Sequence, residues 1–263
     1  MEKVAIVTGG SSGIGRCAAE YLAERGCRVY EFSRGGEDRG TIRHITADVT
    51  DESSVNAAVK EVAAREGRID VLLNNAGFGI SGAAEFTPLE EAQRQLDVNF
   101  WGMVRVTRAV LPYMRRQGSG RIVNTSSVAA VTPIPFQAYY SVSKAAINSF
   151  TMALANEVRP YGVTVCAVMP GDTRTGFTDA RQRRFDGDEA YGGRISRSVR
   201  KMEKDERTGG SPEAVAAVLG KAALSNSGKV LRTAGFSYQC AVLLVKLLPA
   251  RAANRILGML YAN

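Results

Sequence analysis

The chain has 263 residues, of which 45% are hydrophobic and 23% are charged, an ordinary composition for a globular protein. This length fits one large α/β domain or two small ones, and it allows a core that needs neither disulfides nor metals. The net charge is +8, and the four cysteines are widely spaced with no CxxC pair. That spacing argues against a disulfide framework and against a zinc site, and it favours reduced thiols.

The first residues carry no secretory signal. Met1-Glu2-Lys3 leads directly into the apolar run Val4–Val7, without the longer apolar region and cleavage site of a signal peptide. The longest apolar run near the C-terminus, Ala241–Val245, is far too short to span a bilayer. We therefore expect a cytoplasmic protein.

Short apolar runs alternate with longer helical patterns along the chain. The predicted elements are strand Val4–Thr8, helix Ile14–Arg25, strand Arg28–Phe32, strand Arg43–Asp48, helix Ser53–Glu66, strand Val71–Asn74, helix Pro88–Gln117, strand Arg121–Thr125, helix Ala138–Arg159, strand Val163–Val168, helix Pro212–Ala223 and strand Lys229–Thr233. This alternation predicts βαβ units, and thus a doubly wound parallel sheet with helices on both faces. Ligands of such sheets bind beyond the carboxyl ends of the strands. Pro112 is expected to kink or tighten the last turns of its helix.

Residues 172–211 interrupt the alternation. They contain ten basic and eight acidic side chains, few apolar ones and two glycine pairs. A mobile substrate lid or insertion over the site is expected here, and a solvated helical hairpin is a compatible description.

A glycine-rich loop joins the first strand to the first helix. In Thr8–Gly15 (TGGSSGIG) the glycines allow a tight turn and the close approach of a pyrophosphate to the helix N-terminus, where free N–H groups favour anions. The spacing differs from GxGxxG, and a simple strand–helix turn is the alternative.

The second strand ends in Ser33-Arg34, where NAD-binding sites usually have an acidic residue. Because Arg binds phosphate oxygens in a fork, this pair predicts NADP(H), with a surface arginine as the alternative. Glu31 is expected to point elsewhere.

Tyr140 and Lys144 lie four residues apart, on one face of a helix. A nearby ammonium favours the phenolate and lowers the pKa of a tyrosine, which makes it a better acid/base at neutral pH. Ser127 follows a predicted strand and can hold a substrate carbonyl, and Asn99 can bind a water that links Lys144 to solvent. The single histidine, His44, is not near a GxSxG motif, and no metal-binding cluster is present. Proton transfer is therefore assigned to the tyrosine.

Together these residues resemble the short-chain dehydrogenase/reductase family, in its branch of roughly 250 residues. The motifs that carry the resemblance are Thr8–Gly15, Asp48-Val49, Asn74–Gly77, Asn99, Ser127, Tyr140, Lys144 and Pro170-Gly171, and the resemblance covers about residues 3–175 strongly. It implies a seven-stranded Rossmann-like sheet and a catalytic tetrad of Asn99, Ser127, Tyr140 and Lys144. In that tetrad Ser127 would orient the carbonyl, Tyr140 would transfer the proton, and Lys144 would also bind the nicotinamide ribose.

The cofactor residues follow from the glycine loop, the end of the second strand and the resemblance together. They are Thr8, Gly9, Ser11, Ser12, Gly13, Ile14, Gly15, Ser33, Arg34, Asp48, Val49, Asn74, Ala76, Gly77, Tyr140, Lys144, Pro170, Gly171, Thr173 and Thr175. The resemblance implies that Asp48 contacts the adenine and that Thr175 holds the carboxamide. Thr173 departs from the family pattern, which has an apolar residue there. Arg174 is expected to reach the cofactor or an anionic substrate.

The apolar segment Pro133–Phe136 and the region of Phe177 suit a hydrophobic ketone, and the chain resembles the hydroxysteroid and retinol dehydrogenase-like members of the family. A lipophilic ketone or aldehyde (a steroid, a retinoid or a long-chain ketone) is the expected substrate.

A β-ketoacyl-thioester reductase and a non-catalytic NADP(H)-sensing protein remain alternatives. The former needs basic residues near its entrance. Candidates on the long helix are Arg105, Arg108, Arg115 and Arg116. A homodimer or homotetramer is expected, and no nucleic-acid partner.

Residues 1–263 are expected to form one domain that ends in an apolar, basic tail over residues 236–263. Residues 225–263 contain Lys229, Arg232, Lys246, Arg251 and Arg255 and no acidic side chain. Such a tail fits an acidic partner or anionic lipid, or simply a solvated surface. Its apolar residues fit a core or dimer helix, or an interfacial anchor interrupted by Pro249. Packing or dimerisation is favoured over membrane contact.

Overall fold

The computed structural model describes residues 2–262; the two ends of the predicted domain, Met1 and Asn263, lie outside the described residues. The strands are β1 (Val4–Thr8), β2 (Arg28–Ser33), β3 (Ile42–Thr46), β4 (Val71–Asn74), β5 (Ile80–Ser81), β6 (Gly120–Thr125), β7 (Val163–Met169), β8 (Gln182–Arg183) and β9 (Leu231–Thr233). The helices are α1 (Gly13–Ala23), α2 (Glu52–Glu66), α3 (Leu89–Leu96), α4 (Gly102–Gln117), α5 (Ala138–Val158), α6 (Phe177–Ala180), α7 (Arg194–Arg207), α8 (Pro212–Leu224), α9 (Phe236–Leu247) and α10 (Ala250–Tyr261).

Seven strands form one parallel sheet in the order β3-β2-β1-β4-β6-β7-β9, which confirms the predicted fold class. The central strands are apolar and buried at consecutive positions, as in β1 (VAIVT) and β4 (VLLN), because helices cover both faces of the sheet. After β1 the chain builds one side of the sheet through β2 and β3, and it then crosses to the other side through β4. This reversal opens a crevice at the carboxyl ends of β1 and β4.

The core is divided by the sheet into two apolar layers. On one side, Leu72 packs with Val106 of α4 and Leu154 of α5. On the other side, Leu73 packs with Leu219 of α8 and with residues of α1. The alternation of side chains along a strand explains why two neighbouring leucines serve opposite layers. The result is a rigid support for the loops at the carboxyl edge.

The predicted helix Pro88–Gln117 is not continuous. It begins at Leu89, and a π-helical turn over Asp97–Trp101 separates α3 from α4. Such turns inside α-helices are frequent at functional sites, and no local pattern in the sequence predicted this one. The helix passes Pro112 and ends at Gly118, which has a left-handed φ of 64°. Strand β3 also ends earlier than predicted, at Thr46.

The charged segment 172–211 is packed against the carboxyl edge. It contains α6, α7 and β8, and β8 pairs with β5 in a small second sheet that the sequence pattern did not predict. Ile195, Val199 and Met202 of α7 are buried and pack against Ile134 and Phe136. The apolar segment Pro133–Phe136 thus forms one wall beneath α7.

The tail contains two short helices, α9 and α10, joined at Leu248-Pro249. Val242 and Ala253 are buried, whereas most of the large apolar side chains of the tail are exposed. Across residues 2–262, no helix combines the length and the apolar character that are needed to cross a membrane.

Candidate active site

Lys144 lies at the bottom of the site, where α5 meets the end of β6. Its side chain is 5% exposed, and its Nζ donates a hydrogen bond of 2.9 Å to the carbonyl oxygen of Thr125. Burial lowers the pKa of Lys144 to about 8, because desolvation disfavours the ammonium. The same Nζ lies 5.5 Å from the ring centroid of Tyr140. The predicted proximity of the two side chains is therefore present.

The phenol of Tyr140 differs from the prediction. Burial raises its pKa to about 12, and a hydrogen bond with the Ser127 side chain opposes this shift. The pKa was expected to fall because of Lys144. Lys144 is instead bound to Thr125 and is itself desolvated, so the cost of burying a phenolate outweighs its influence. Tyr140 is thus protonated at neutral pH, which is the form that a proton donor needs before reaction.

Ser127 begins the 3₁₀ turn Val128–Ala130, directly after β6. Its Oγ accepts a hydrogen bond of 3.1 Å from the backbone N–H of Ala129, so its hydroxyl hydrogen can be donated to Tyr140 or to a bound carbonyl. The N–H of Val128 donates to the carbonyl of Pro170 at 2.9 Å and ties this turn to the loop after β7. Ser127 is thereby held on two neighbouring strand ends, beside Tyr140.

Asn99 lies at the centre of the π-helical turn and is 1% exposed. Its Oδ1 accepts from the N–H of Phe78 at 2.9 Å, and its Nδ2 donates to the carbonyl of Phe78 at 3.0 Å and to Ser143 Oγ at 3.2 Å. Both amide hydrogens are therefore engaged, and only a lone pair of Oδ1 remains for a water. Asn99 positions the chain after β4 against α5, a role that the sequence did not indicate.

The glycine loop has the backbone geometry that the sequence predicted. Gly9 has a left-handed φ of 65°, and a Cβ on Gly15 would lie 2.2 Å from the carbonyl oxygen of Gly9. Ser12 precedes α1 but makes no side-chain capping bond, and the first turn contains no acidic residue. The N–H groups of this turn are therefore available for an anion. Ile14 packs against the core below the loop.

The motif after β4 is divided between the core and the loop. The amide of Asn74 is 3% exposed and donates to Thr107 Oγ1 and Asn124 Oδ1, each at 3.0 Å. Its side chain is therefore used within the core, and its place along the cofactor stays a prediction. The unpredicted Asn75 takes the position beside the loop, because its Nδ2 donates to the carbonyl of Gly9 at 3.3 Å. Thr8 Oγ1 accepts from the N–H groups of Asn75 and Ala76.

Several charged side chains lie near the end of β2. Glu31 was expected to point away from Ser33, and this expectation was wrong: residues two apart in a strand share a face, and Ser33 Oγ lies 3.2 Å from Glu31 Oε1. Glu31 is fully buried and also contacts His44 Nδ1 at 2.5 Å. Arg34 is exposed, and its charge contributes to lowering the pKa of Asp48.

Arg39 is a further cation at this edge that the sequence analysis missed. Its Nη2 donates to the carbonyl of Gly10 at 2.7 Å, and its Nη1 lies 3.4 Å from the carbonyl of Ser11. Its Nε is buried without a partner in the described chain. Its position across the glycine loop depends on the fold of residues 34–41, which no local motif reveals.

The remaining predicted residues lie along the same edge. The pKa of Asp48 is lowered by hydrogen bonds from the N–H and hydroxyl of Thr50, and Val49 is buried against Gly102. Thr173 Oγ1 donates to the carbonyl of Gly171 at 2.9 Å. Thr175 lies beside Gly13 and accepts from the N–H of Phe177 at 3.2 Å. The exposed Arg174 has no recorded side-chain hydrogen bond or ion pair within residues 2–262.

Comparison with known proteins agrees with this arrangement. The profile of the short chain dehydrogenase family matches residues 3–185. The chain belongs to this family.

A relative from Bacteroides thetaiotaomicron, named 3-ketodihydrosphingosine reductase, is 44% identical over 222 residues, which are 83% of this chain and 82% of the relative. A solved short-chain dehydrogenase from Streptomyces avermitilis is similar at a TM-score of 0.85 with 32% identity, covering 96% of this chain and 94% of that one. ElxO with NADP bound has a TM-score of 0.76 and 25% identity, covering 91% of this chain and all (100%) of that one. Solved structures of the fold include complexes with NADP and with NAD.

The crevice of this short-chain dehydrogenase fits a dinucleotide. Gly15 allows the loop to pack tightly against the carbonyl of Gly9, the N-terminus of α1 is uncapped by side chains, and the Nε of Arg39 is buried without a partner among residues 2–262. These features suit the pyrophosphate of a dinucleotide. In the described part of the chain, no His, Cys, Asp or Glu side chains form a group that can hold a metal ion.

The dehydrogenase also has charged side chains close to Tyr140. The charges of Glu206 and Asp172 raise the pKa of Tyr140, and that of Arg181 lowers it. Glu206 forms an ion pair with the buried Arg181. Asp172 has no ion-pair partner within residues 2–262, and it accepts a hydrogen bond of 2.8 Å from the hydroxyl of Tyr238. Desolvation raises the pKa of Asp172. An unpaired carboxylate thus lies within electrostatic reach of the phenol.

Replacing Lys144 with methionine should remove a pH dependence of stability. The pKa of Lys144 is about 8 in the folded protein, against an ordinary value of 10.5. Between these values the unfolded chain binds more protons, so the wild-type free energy of unfolding rises with pH by up to about 3 kcal/mol. Urea unfolding from about pH 7 to about pH 10.5 measures the difference between wild type and Lys144→Met. Lys60→Met, at an exposed lysine of α2, is the control and should run parallel to wild type. A parallel curve for Lys144→Met as well would contradict the assignment.

Proposed function

We propose that the protein is an NADP(H)-dependent oxidoreductase that reduces a lipophilic ketone to an alcohol. The observation that carries the proposal is the placement of Tyr140, which lies beside Ser127 and whose ring centroid is 5.5 Å from Nζ of the buried Lys144. A proton donor of this kind is what carbonyl reduction requires, because the carbonyl oxygen must gain a proton as its carbon gains a hydride.

In the proposed mechanism, bound NADPH supplies the hydride. Ser127 donates its hydroxyl hydrogen to the substrate carbonyl and fixes its direction. Tyr140 transfers its phenolic proton to the same oxygen, and the ammonium of Lys144 stabilises the phenolate that remains. Asn99 holds the backbone of Phe78 and so keeps this corner of the site in place. The tetrad Asn99, Ser127, Tyr140 and Lys144 thus divides into one positioning residue and three that act on the carbonyl or the proton.

The preference for NADP(H) over NAD(H) is proposed from the end of β2. Ser33 takes the place of the acidic residue that would repel a 2′-phosphate, and Arg34 and Arg39 supply positive charge nearby. Glu31 is turned into the protein and contacts His44. Its carboxylate is therefore shielded from solvent and held by His44 and Ser33.

The proposed substrate is a long-chain ketone that carries an amino group next to the carbonyl. The compound in the name of the Bacteroides relative has this chemistry. Asp172 supports the same proposal, because an unpaired, half-buried carboxylate near Tyr140 is a natural counter-ion for an ammonium. Phe177, whose ring centroid lies 5.8 Å from that of Tyr140, supplies an apolar surface beside the reacting carbon. Residues 172–211 would then act as the substrate lid.

A β-ketoacyl-thioester reductase is less well supported. Of the four arginines that were considered for a phosphopantetheine carrier, Arg105 is paired with Asp97 and Arg108 with Glu52. The non-catalytic sensor has no observation in its favour, since the acid/base pair is present.

A homodimer or homotetramer is proposed through the long central helices, on which Trp101, Val142 and Met152 are exposed.

The first test is to follow NADPH and NADH absorbance with a substrate panel. The panel contains a long-chain 2-amino-3-ketone, steroid ketones, retinal, small diketones and acetoacetyl thioester. Turnover of a lipophilic ketone with NADPH is expected, and Tyr140→Phe should reduce kcat about 10²–10⁴-fold because it lacks the proton. Retained binding of NADPH by Tyr140→Phe controls for folding. Exclusive turnover of small polar ketones, or full activity of the variant, would contradict the proposal.

Arg34→Ala should weaken the use of NADPH selectively. Loss of a charged hydrogen bond to phosphate corresponds to about 1.5–3 kcal/mol, so kcat/KM for NADPH should fall about 10–100-fold while that for NADH stays constant. Arg115→Ala, an exposed arginine on α4, is the matched control. An equal effect on both cofactors would show that Arg34 does not recognise the 2′-phosphate.

Asp172→Asn tests the amino group of the substrate. The amide keeps the shape and can still accept the hydrogen bond from Tyr238, but it lacks the charge. We expect kcat/KM to fall about 10–100-fold for the 2-amino-3-ketone, and to stay the same or rise for the amine-free ketone of the same length, because the charge of Asp172 no longer raises the pKa of Tyr140. Equal losses for both ketones would remove the argument for a cationic substrate.

A further inference from the structure

The outer face of α9 is an apolar stripe. Phe236, Cys240, Leu243 and Leu247 recur at the spacing of one helical face, and all four are exposed. Phe236 is 81% exposed, Leu243 59% and Leu247 74%. The opposite face of the same helix contains Val242, which is buried. An amphipathic helix normally buries its apolar side, whereas here the larger apolar stripe faces outward.

The second tail helix, α10, also exposes large apolar side chains. Ile256, Met259 and Leu260 are exposed and lie three and four residues apart, and the buried Ala253 lies one turn before Ile256. The basic side chains Lys246, Arg251 and Arg255 are also exposed, and residues 225–263 contain no acidic side chain. We call the exposed apolar and basic side chains of α9 and α10 the tail surface. It combines apolar contact area with positive charge alone.

We propose that the tail surface binds the face of an anionic lipid bilayer. The apolar side chains would enter the boundary between headgroups and acyl chains, and the basic ones would contact anionic headgroups. Each of α9 and α10 has 12 residues, which corresponds to a length of about 18 Å. This is well below the thickness of the hydrocarbon core, so both helices lie along the interface.

A second copy of the chain fits the tail surface less well than a bilayer does. A two-fold interface brings the same patch of both subunits together, so each copy would place its basic side chains against those of the other. Without an acidic residue over 225–263, the tail contributes no countercharge. An anionic membrane has the complementary charge, and it accepts apolar side chains without requiring a matched shape.

The tail surface is connected to the candidate active site. The hydroxyl of Tyr238 in α9 accepts from the N–H of Asp172 at 2.9 Å, and its ring lies against Gly171, where a Cβ would lie 2.2 Å from it. Tyr261 in α10 packs with the apolar cluster of α7. On the proposed function, on which this step rests, a docked tail brings the loop after β7 and the wall under α7 near the membrane that dissolves a long-chain ketone.

The test is cosedimentation of the full chain with vesicles. Equimolar phosphatidylglycerol and phosphatidylcholine provide the anionic surface, and phosphatidylcholine alone provides the neutral one. We expect binding to the anionic vesicles that weakens with added salt. The double variant Leu243→Glu/Leu247→Glu should weaken it at least tenfold, as should Lys246→Glu/Arg251→Glu. Leu89→Glu, at a leucine of α3 that is 65% exposed, should bind like wild type.

The mass of each variant in solution is measured by light scattering. An unchanged mass together with lost vesicle binding supports the proposal. Absence of binding to anionic vesicles, or full binding by both double variants, would overturn it. A shift of the Leu243→Glu/Leu247→Glu variant to a smaller species would also overturn it and assign the tail surface to a second copy. The vesicle assay contains neither cofactor nor ketone, so its failure would leave the proposed function intact.

Discussion

The ammonium of Lys144, held under the end of β6 by the carbonyl oxygen of Thr125, constrains much of the surrounding structure. A charge that is 5% exposed requires such an acceptor, because an unsatisfied buried ammonium would be strongly destabilising. The hydrogen bond fixes α5 against the sheet and so sets the position of Tyr140, one helical turn away. The position of Lys144 Nζ also favours a small residue at position 77, since a Cβ on Gly77 would lie 3.8 Å from Nζ and 3.0 Å from Asn99 Oδ1. A glycine in the loop after β4 and the π-helical turn that carries Asn99 both fit this limited space.

The electrostatics of the site favour a phenol over a phenolate. Burial raises the pKa of Tyr140, the carboxylates of Glu206 and Asp172 raise it further, and the hydrogen bond from Ser127 and the charge of Arg181 lower it. The same burial lowers the pKa of Lys144 to about 8, so the pKa values of the two groups move apart and desolvation favours the uncharged form of each. A cationic substrate beside Asp172 would offset one of the carboxylates and ease the loss of the phenolic proton. Substrate charge and proton transfer would thus be linked through this one residue.

Much of the fold was predictable because its signals are local. The apolar runs of β1, β4 and β7 are buried at nearly every position, so composition alone identified them as strands of a covered parallel sheet. The glycine loop and the spacing of Tyr140 and Lys144 are likewise short motifs. The pKa of Tyr140 was predicted in the wrong direction, because burial depends on the packing of α5 and of the segment after β7. The roles of Arg39, Asn75 and Asp172 arise from contacts between distant parts of the chain, and no spacing rule reports such contacts.

The central claim is that Tyr140 donates the proton while hydride adds to a ketone carbon. The most direct measurement uses NADPH with deuterium at the transferable C4 position and the long-chain 2-amino-3-ketone, with the product analysed by mass spectrometry. The account predicts an alcohol that carries one deuterium on the former carbonyl carbon, formed about 10²–10⁴-fold more slowly by Tyr140→Phe. NADPH consumption without deuterium in the product, or labelled product formed by Tyr140→Phe at the wild-type rate, would contradict it.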